Sequence, residues 1–495
     1  VGNPHKFARL ARDTARVKPI VAVKSGRSAA GTRAASSHSG SLADLDIAVD
    51  ALFEQAGVIR TGTLEELFDV SSMLSTQPIP KGPRVAVVTN AGGPAILLAD
   101  SCEAHGLTLP SPGEKTIAAL REFLPELAVW SNPIDLTAGA SPSQLERAIV
   151  AAGEDPEFDS VVAITVPPRE ANMRGAAEAI ARGAGRVPSD KPVLVVMLPS
   201  TGASERLDAG PRGKIPLYSF PENAAIALAA AWRYGKWRSR PQGAAVSLTP
   251  FAREAIRAVV ERALRGASEP RWLGPADLVT ILRAAGIEAA QAEETAPADA
   301  ARVAEAIGYP LVAKAISPGL RHKSDLGGVI MDIRSAREAA DAAALLRDRI
   351  EAAGRRFDGV LLQRQIEGGI EMMAGVISDP TFGPLLLCGH GGAAGELIRD
   401  VAFRLHPVTD IDAAGMIAEL RSSRLLDGFR GAPPGDRAAL AALMTRLSAL
   451  VEIVPEIVEL DLNPIKVLPP GRGAIVVDGR LMLAPPGGER QSATM

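Results

Sequence analysis

His38 sits in a stretch built for handling an anion. From Lys24 to Asp46 the chain reads K-S-G-R-S-A-A-G-T-R-A-A-S-S-H-S-G-S-L-A-D-L-D. An apolar strand, Ile20 to Val23, enters it, and an amphipathic helical pattern from about Leu42 to Gln55 leaves it. Glycines and other small residues let a backbone approach a ligand closely and take positive φ angles. A serine- and glycine-rich run that opens a helix leaves amide N–H groups free for an anion, with Gly40 in that run. Arg27 and Arg33 add positive charge. The chemistry these residue types suit is nucleophilic: the His38 imidazole takes up a phosphoryl group and passes it on. For any lone histidine, a loop residue with no task is the alternative. Here a second pair, His322 and Lys323, lies far downstream in another glycine-bounded loop, where each also reads as a solvated surface residue.

Lys314 is the next chemical landmark. In Y-P-L-V-A-K-A-I-S-P-G-L-R-H-K-S-D-L-G-G-V, residues 309–329, it interrupts a strand otherwise made of apolar residues. A lysine there needs an anion or a route to water, and a polyphosphate is a suitable anion. N-A-G-G-P at 90–94 joins a strand to a helix. Gly92, Gly93 and the helix N-terminus could aim amides at one phosphate, and a tight strand–helix turn is an equally good reading. The motif lacks the Lys and Ser/Thr of a Walker loop, so it is not expected to bind a nucleotide alone. E-L-D-L-N-P-I at 459–465 and V-V-D-G-R at 476–480 offer Asn463 and Asp478. Such an oxygen pair on neighbouring strands suits Mg2+, which takes a few carboxylate or amide oxygens plus phosphates. Asn463 also reads as a turn residue before proline, and Asp478 as a strand-end cap.

S-H-S-G-S-L-A-D-L-D, followed by D-A-L-F-E-Q-A-G-V-I-R, resembles the active-site loop of the ADP-forming (NDP-forming) acyl-CoA synthetases of the acetate–CoA ligase type, relatives of succinyl-CoA synthetase. The 309–329 stretch resembles the ATP-grasp domain of the same enzymes, and the likeness runs in order along nearly the whole chain. It implies an acid–thiol ligase working through phosphohistidine: carboxylate + CoA + ATP = acyl-CoA + ADP + phosphate, with acetyl-CoA as the default product. By that resemblance His38 is the phosphohistidine, and His322 takes the phosphoryl group between the nucleotide and His38. Gly92 and Gly93 would lie at the second of two helix N-termini that face the phosphohistidine. Lys314 would hold ATP, Gln363 would lie near the adenine, and Glu371 near the ribose or phosphates. Gln363 and Glu371 also read as polar residues at strand edges. Asn463 and Asp478 would carry Mg2+. ATP/ADP, Mg2+ and coenzyme A are the cofactors so implied. The partners are a small carboxylic acid, CoA and nucleotide, in a homo-oligomer.

The family pattern places a CoA-binding Rossmann domain and an acidic partner of His38 ahead of residue 1. His390, in C-G-H-G-G, stands where the family has an apolar residue. S-N-P-I-D at 131–135 matches a family segment too, and a helix-stopping turn is its plain reading. The same domains also occur as a non-catalytic ligand sensor fused to protein lysine acetyltransferases. That is the alternative function, and the retained His38 and His322 favour the enzyme.

These residues need scaffolds, and composition bounds them. The length of 495 residues suggests about three to four domains. Hydrophobic residues are 47% and charged residues 22%, an ordinary globular balance. A net charge of -3 gives no reason to expect nucleic acid or an anionic membrane as partner, and 4% aromatics leaves little for base stacking. Two cysteines, Cys102 and Cys388, indicate no disulfide framework and fit a reducing cytoplasm. No apolar run reaches the length of a membrane span.

The expected fold is α/β: two doubly wound parallel-sheet domains, flavodoxin-like and succinyl-CoA-synthetase-like, followed by an ATP-grasp domain. Residues 1–76 carry His38 on one doubly wound unit, expected to be N-terminally incomplete, with Thr63 and Glu66 forming a capping box on its last helix. Residues 84–240 form the second unit, with strands such as 161–166 and 192–198 alternating with helices. Residues 245–484 run strand, loop, strand, helix, strand, strand in their middle, the order of a nucleotide clamp. The segment 485–495 reads as a disordered tail.

Overall fold

The computed structural model describes residues 3–24, 46–166, 173–198, 206–317, 326–392 and 400–485, with the single positions 395 and 398. His38, Gly40 and His322 lie outside the described residues, as do Arg27, Arg33, Lys323 and all but the first residue of the expected tail. The chain divides into two compact units, the first made mainly of residues up to Arg240 and the second mainly of Pro241 onward.

In the first unit, α1 (Pro4–Val17) leads into β1 (Ile20–Val23). Then come α2 (Asp46–Ala56), β2 (Val58–Thr61) and α3 (Leu64–Thr76). β1 and β2 pair in parallel, Ile20 opposite Val58. A longer alternation follows: β3 (Val85–Thr89), α4 (Gly92–Ala104), α5 (Glu114–Arg121), β4 (Ile134–Asp135), α6 (Pro142–Glu154), β5 (Ser160–Thr165), α7 (Met173–Arg186), β6 (Val193–Met197), β7 (Arg206–Asp208), β8 (Lys214–Tyr218) and α8 (Pro221–Ser239). The strands lie in the order β4-β3-β5-β6-β8-β7, parallel except at the β7–β8 edge.

Every residue of β3, β5 and β6 is buried. The reason is the two-residue period of a strand. Val85, Val87, Val162, Ile164, Leu194 and Val196 feed one core with α4 and α8. Ala86, Val88, Val161, Ala163, Val193 and Val195 feed the other with α6 and α7. A parallel sheet covered on both faces reads as unbroken apolar runs, which is why these strands stand out in the sequence.

Two local expectations need correction. Thr63 caps α3 by accepting from the Glu66 N–H at 3.1 Å, but the Glu66 carboxylate reaches back to the Gly62 N–H at 2.6 Å and not to Thr63. Only half of a capping box forms. A complete box forms at α6, where Ser141 and Gln144 side chains accept from one another's N–H groups and Pro142 takes the first helical position. Asn132 stops no helix. Its side-chain oxygen accepts from Val87 N–H at 2.9 Å, and its amide donates to Val85 O at 2.7 Å and Pro110 O at 3.0 Å. It pairs with β3 as a neighbouring strand would.

The second unit holds α9 (Pro250–Leu264), β9 (Arg271–Trp272), α10 (Pro275–Ala284), β10 (Ala292–Thr295), α11 (Ala300–Ile307), β11 (Leu311–Ile316), β12 (Val329–Ile333), α12 (Ala336–Ala352), β13 (Gly359–Arg364), β14 (Ile370–Asp379), β15 (Gly383–His390), β16 (Val401–Leu405), α13 (Asp410–Glu419), α14 (Arg437–Ile453), β17 (Ile457–Val467), β18 (Ala474–Val476) and β19 (Gly479–Leu483). A four-stranded antiparallel sheet has the order β10-β13-β11-β12. A larger one runs β16-β15-β14-β17-β19-β9, with β18 on β17. Residues 365–369, the hinge segment, join the smaller sheet to the larger one.

The smaller sheet buries Leu311, Ala313, Ala315, Val360 and Leu362 against α11 and α12. The larger packs Met372, Ala374, Leu460 and Leu462 against α9, α10, α13 and α14. On β17 the residues between those leucines and beyond them, Glu459, Asp461 and Asn463, are only partly buried and lie on the other face.

Candidate nucleotide and metal site

Lys314 is on β11, whose alternate residues Leu311, Ala313 and Ala315 enter the helix-covered core. Its side chain therefore leaves by the opposite face, yet only 6% of it is exposed. The ammonium donates to Val477 O at 2.9 Å and lies 3.3 Å from the Asp478 carboxylate. Gln363, two strand positions from the partner of Lys314 on β13, donates from Nε2 to the same Val477 O at 2.8 Å. Its Oε1 is buried and accepts no hydrogen bond among the described residues. Reversing the amide would set that oxygen against the Val477 carbonyl, so the orientation follows from the chemistry.

Asn463 meets the same segment. Its N–H donates to Asp478 O at 3.1 Å, and its side-chain oxygen accepts from Gly392 N–H at 2.9 Å. Asp478 Oδ1 accepts from Gly479 N–H at 2.9 Å. Lys314, Gln363, Asn463 and Asp478 thus gather around Val477–Asp478. Among the described residues no cluster of three or more His, Cys, Asp or Glu side chains is shaped for a metal ion. A two-oxygen pair is what Mg2+ takes when phosphates supply further ligands. The charge balance also suits a cation. Arg480 lies 3.3 Å from Asp461 and 3.5 Å from Glu459, over the Trp272 ring. Burial pushes the Asp461 carboxyl above its ordinary range. Arg480 opposes that shift, while Glu459 and Asp478 add to it. Three carboxylates face two cationic groups there.

Glu371, on β14, pairs with Lys466 at 2.9 Å across the strand pair. Its carbonyl accepts from Gly391 N–H at 3.0 Å and from the His390 ring Nδ1 at 2.9 Å. A carbonyl partner fixes the His390 proton on Nδ1. Gly392 has φ +69°, and a Cβ there would collide with the Glu371 carboxylate. Beside residues 365–369 is a cavity of about 550 Å³, lined by that hinge segment, Pro310, Ile370, Val467, Leu468, Ile475 and residues 432–434.

In the first unit, Gly92 and Gly93 open α4, whose N-cap Ala91 supplies no side-chain bond. A Cβ on Gly93 would meet nothing within 4 Å among the described residues, and Gly92 leaves room for the Asp135 carboxylate, which a Cβ would approach to 3.3 Å. Asp135 also accepts from Thr137 N–H at 2.9 Å, with Thr137 at φ 69°.

Sequence reasoning missed Asp461, Arg480 and the hinge cavity. The alternation in E-L-D-L-N offered a signal for Asp461, since it puts Asp461 and Asn463 on one face.

Three family models match in order: a succinyl-CoA ligase-like flavodoxin domain at residues 1–74, a ligase-CoA domain at 85–240 and an ATP-grasp domain at 265–483. The chain is 36% identical over 485 residues to the ADP-forming acetate–CoA ligase I of Archaeoglobus fulgidus, covering 98% of this chain and 69% of that protein. It is 31% identical over 493 residues to the ADP-forming 4-hydroxybutyrate–CoA ligase of Nitrosopumilus maritimus, again covering 98% and 69%. A solved Ca. Korarchaeum cryptofilum acetyl-coenzyme A synthetase, in complex with coenzyme A, is 32% identical, with a TM-score of 0.43 over 46% of this chain and 99% of that one. These relatives are ligases and synthetases, and the sensor alternative finds no support among them. The chain belongs to the ADP-forming acyl-CoA ligases.

Proposed function

We propose that this protein joins a small aliphatic carboxylic acid to CoA at the expense of ATP, with acetate the first candidate, and that its two histidines carry the phosphoryl group. The observation that carries the residue roles is the convergence of Lys314, Gln363, Asn463 and Asp478 on Val477–Asp478. Lys314 binds the polyphosphate, exchanging its internal carboxylate partner for phosphate oxygens. Asn463 and Asp478 hold Mg2+, which when bound neutralises phosphate charge. The base lies beside the orphaned Gln363 oxygen, which accepts from an amino group on it. Adenine offers such a donor where guanine presents a carbonyl, so ATP is the nucleotide. Glu371 stands at the ribose or phosphate side of the nucleotide.

A neutral imidazole nitrogen of His322 attacks the γ-phosphorus, and ADP leaves. The group moves to His38, with Gly40, Gly92 and Gly93 offering amides to its oxygens. The carboxylate takes it from phosphohistidine to give an acyl phosphate. The CoA sulfur then attacks the acyl carbon, and phosphate departs. Positioning and charge neutralisation supply most of the rate. We take the assembly to be a homo-oligomer, which sedimentation equilibrium tests, and the compartment to be the cytoplasm.

Incubation with γ-labelled ATP and Mg2+ tests the central step. The expected product is an acid-labile, base-stable label on the protein that His322→Ala abolishes and that His38→Ala confines to His322. Wild-type protein that binds ATP at equilibrium yet takes up no label overturns the reading.

A further inference from the structure

The reading above gives Arg480 no task. On the ladder of β17 and β19 it stands directly opposite Asp461. Asp461 precedes Asn463 by two residues, so those two share a face. Nη2 of Arg480 lies 3.3 Å from the Asp461 carboxylate and 3.5 Å from that of Glu459. Its Cζ lies over the Trp272 ring, 5.4 Å from the centroid. Trp272 is held on β9, opposite Met482 of β19. Two carboxylates and an aromatic ring thus fix where this cation sits.

A saturated arginine looks different. Arg84, ahead of β3, gives Asp159 both Nε and Nη2, each at 3.0 Å, the side-on fork that matches a carboxylate. Arg480 meets both of its carboxylates through Nη2 alone, and neither contact is as short as a good hydrogen bond. Among the described residues its Nη1 and its buried Nε donate to nothing. The side chain is 38% exposed. Its charge is anchored, while part of its donor set is left over.

The order of groups along β17 says which part of a nucleotide reaches it. Val477, whose carbonyl receives Gln363 and Lys314, donates its N–H to Pro464 O at 3.0 Å. On the next rung Asn463 N–H donates to Asp478 O. Two rungs further, about 7 Å along a strand, Asp461 faces Arg480. Base-side groups, metal pair and guanidinium therefore follow one another along a single ladder, as base, inner phosphates and terminal phosphate do in ATP. We propose that Arg480 is a catalytic residue that binds the γ-phosphate of ATP and neutralises its charge as the phosphoryl group leaves ADP. This rests on the reading of Lys314, Gln363, Asn463 and Asp478 as the nucleotide and metal site. The P–O bond to ADP breaks as the N–P bond to histidine forms, and ADP carries off the electron pair. An arginine suits the task because it stays charged and presents a planar fork to phosphate oxygens. Held by Asp461, Glu459 and Trp272, it is in place before transfer begins.

The test uses the full chain. It measures equilibrium binding of ADP and of the β,γ-methylene analogue of ATP, each with Mg2+, and the labelling rate at saturating γ-labelled ATP. For Arg480→Gln the expectation is a Kd for the ATP analogue raised about tenfold, a Kd for ADP within about twofold of wild type, and labelling slowed about 10²-fold. Arg480→Lys, which keeps the charge but not the fork, should fall between. Equal weakening of both nucleotides would mean that Arg480 only balances Asp461 and Glu459 beside the metal pair, and overturns the proposal. Wild-type values for all three quantities overturn it too. Lys314→Met separates the two readings: if it binds both nucleotides like wild type, the nucleotide lies elsewhere, and the site and the role of Arg480 fall together. If Arg480→Gln does not fold, Arg480→Lys decides, with an unchanged ratio of the two Kd values overturning the proposal.

Discussion

The Lys314 ammonium lies 3.3 Å from the Asp478 carboxylate, on a strand whose alternate residues are core. Burying one charge without the other would be costly, so the pair is held as a unit. It also supplies a cation that can turn to a phosphate and a carboxylate that can turn to a metal ion. Lys314→Met keeps length and apolar bulk but removes the charge. Labelling by γ-labelled ATP should fall by about 10²-fold or more, with Mg-ATP binding weakened in the same titration.

Asp478→Asn tests the proposed metal role apart from nucleotide binding. The amide still accepts from Gly479 N–H but carries no charge. The Mg2+ concentration for half-maximal labelling should rise about tenfold, the scale of losing one ionic contact of roughly 1.4 kcal/mol. Equal Mg2+ dependence in the two proteins would remove Asp478 from the metal site.

Asn132→Ala tests the strand-edge bracket. Three hydrogen bonds to β3 and Pro110 disappear, leaving Val87 N–H without that partner in the sheet interior. The expected loss is about 2–3 kcal/mol by urea titration. A change below about 0.5 kcal/mol would mean that water replaces the side chain fully.

Asp69 gives the first unit a pH dependence. Burial raises its carboxyl to about 6, the charges of Glu65 and Glu66 add to this, and the Asn223 amide opposes it. The folded chain thus holds a proton that the unfolded chain releases near pH 4. On this account stability is highest below about pH 4, falls through the interval to about 6, and carries the full penalty above it. Asp69→Asn should raise the melting temperature at pH 7.5, with the gain shrinking to nothing at pH 4. A gain that is constant across this range would point to a cause other than ionisation.

Gly435→Ala probes the wall of the hinge cavity beside 432–434. The added methyl must displace Leu426, Val467 or Ile370, and overpacking of this kind costs about 1–3 kcal/mol. Urea titration measures the cost, and a neutral result would show that the wall yields.

Lys314 was legible in the sequence because a charge in an apolar strand has few physical outcomes. β3, β5 and β6 were legible because strands buried on both faces lose alternation and become apolar runs. What escaped notice depends on partners far apart in the chain. The Val477 carbonyl receives Lys314 from 163 residues away and Gln363 from 114. A backbone acceptor leaves no trace in residue type. Asn132 looked like a turn residue because asparagine before proline usually is one, and only the nearby edge of β3 gave it strand-like bonds. β10, β15 and β16 passed unread because their apolar residues sit in short or glycine-interrupted runs. The hinge cavity arises only when two turns meet.

On β17 the leucines at 460 and 462 and the oxygens at 461 and 463 share one ribbon. An insertion or deletion of one residue before Leu460 would swap the two sets, turning leucines outward and carboxylates into oil. Side-chain replacements there are judged one by one, whereas a change of length misdirects every group at once. The polar row is therefore kept in phase by the apolar one, and an engineer who wishes to lengthen this domain should do so in the exposed turn at 354–358, away from this strand.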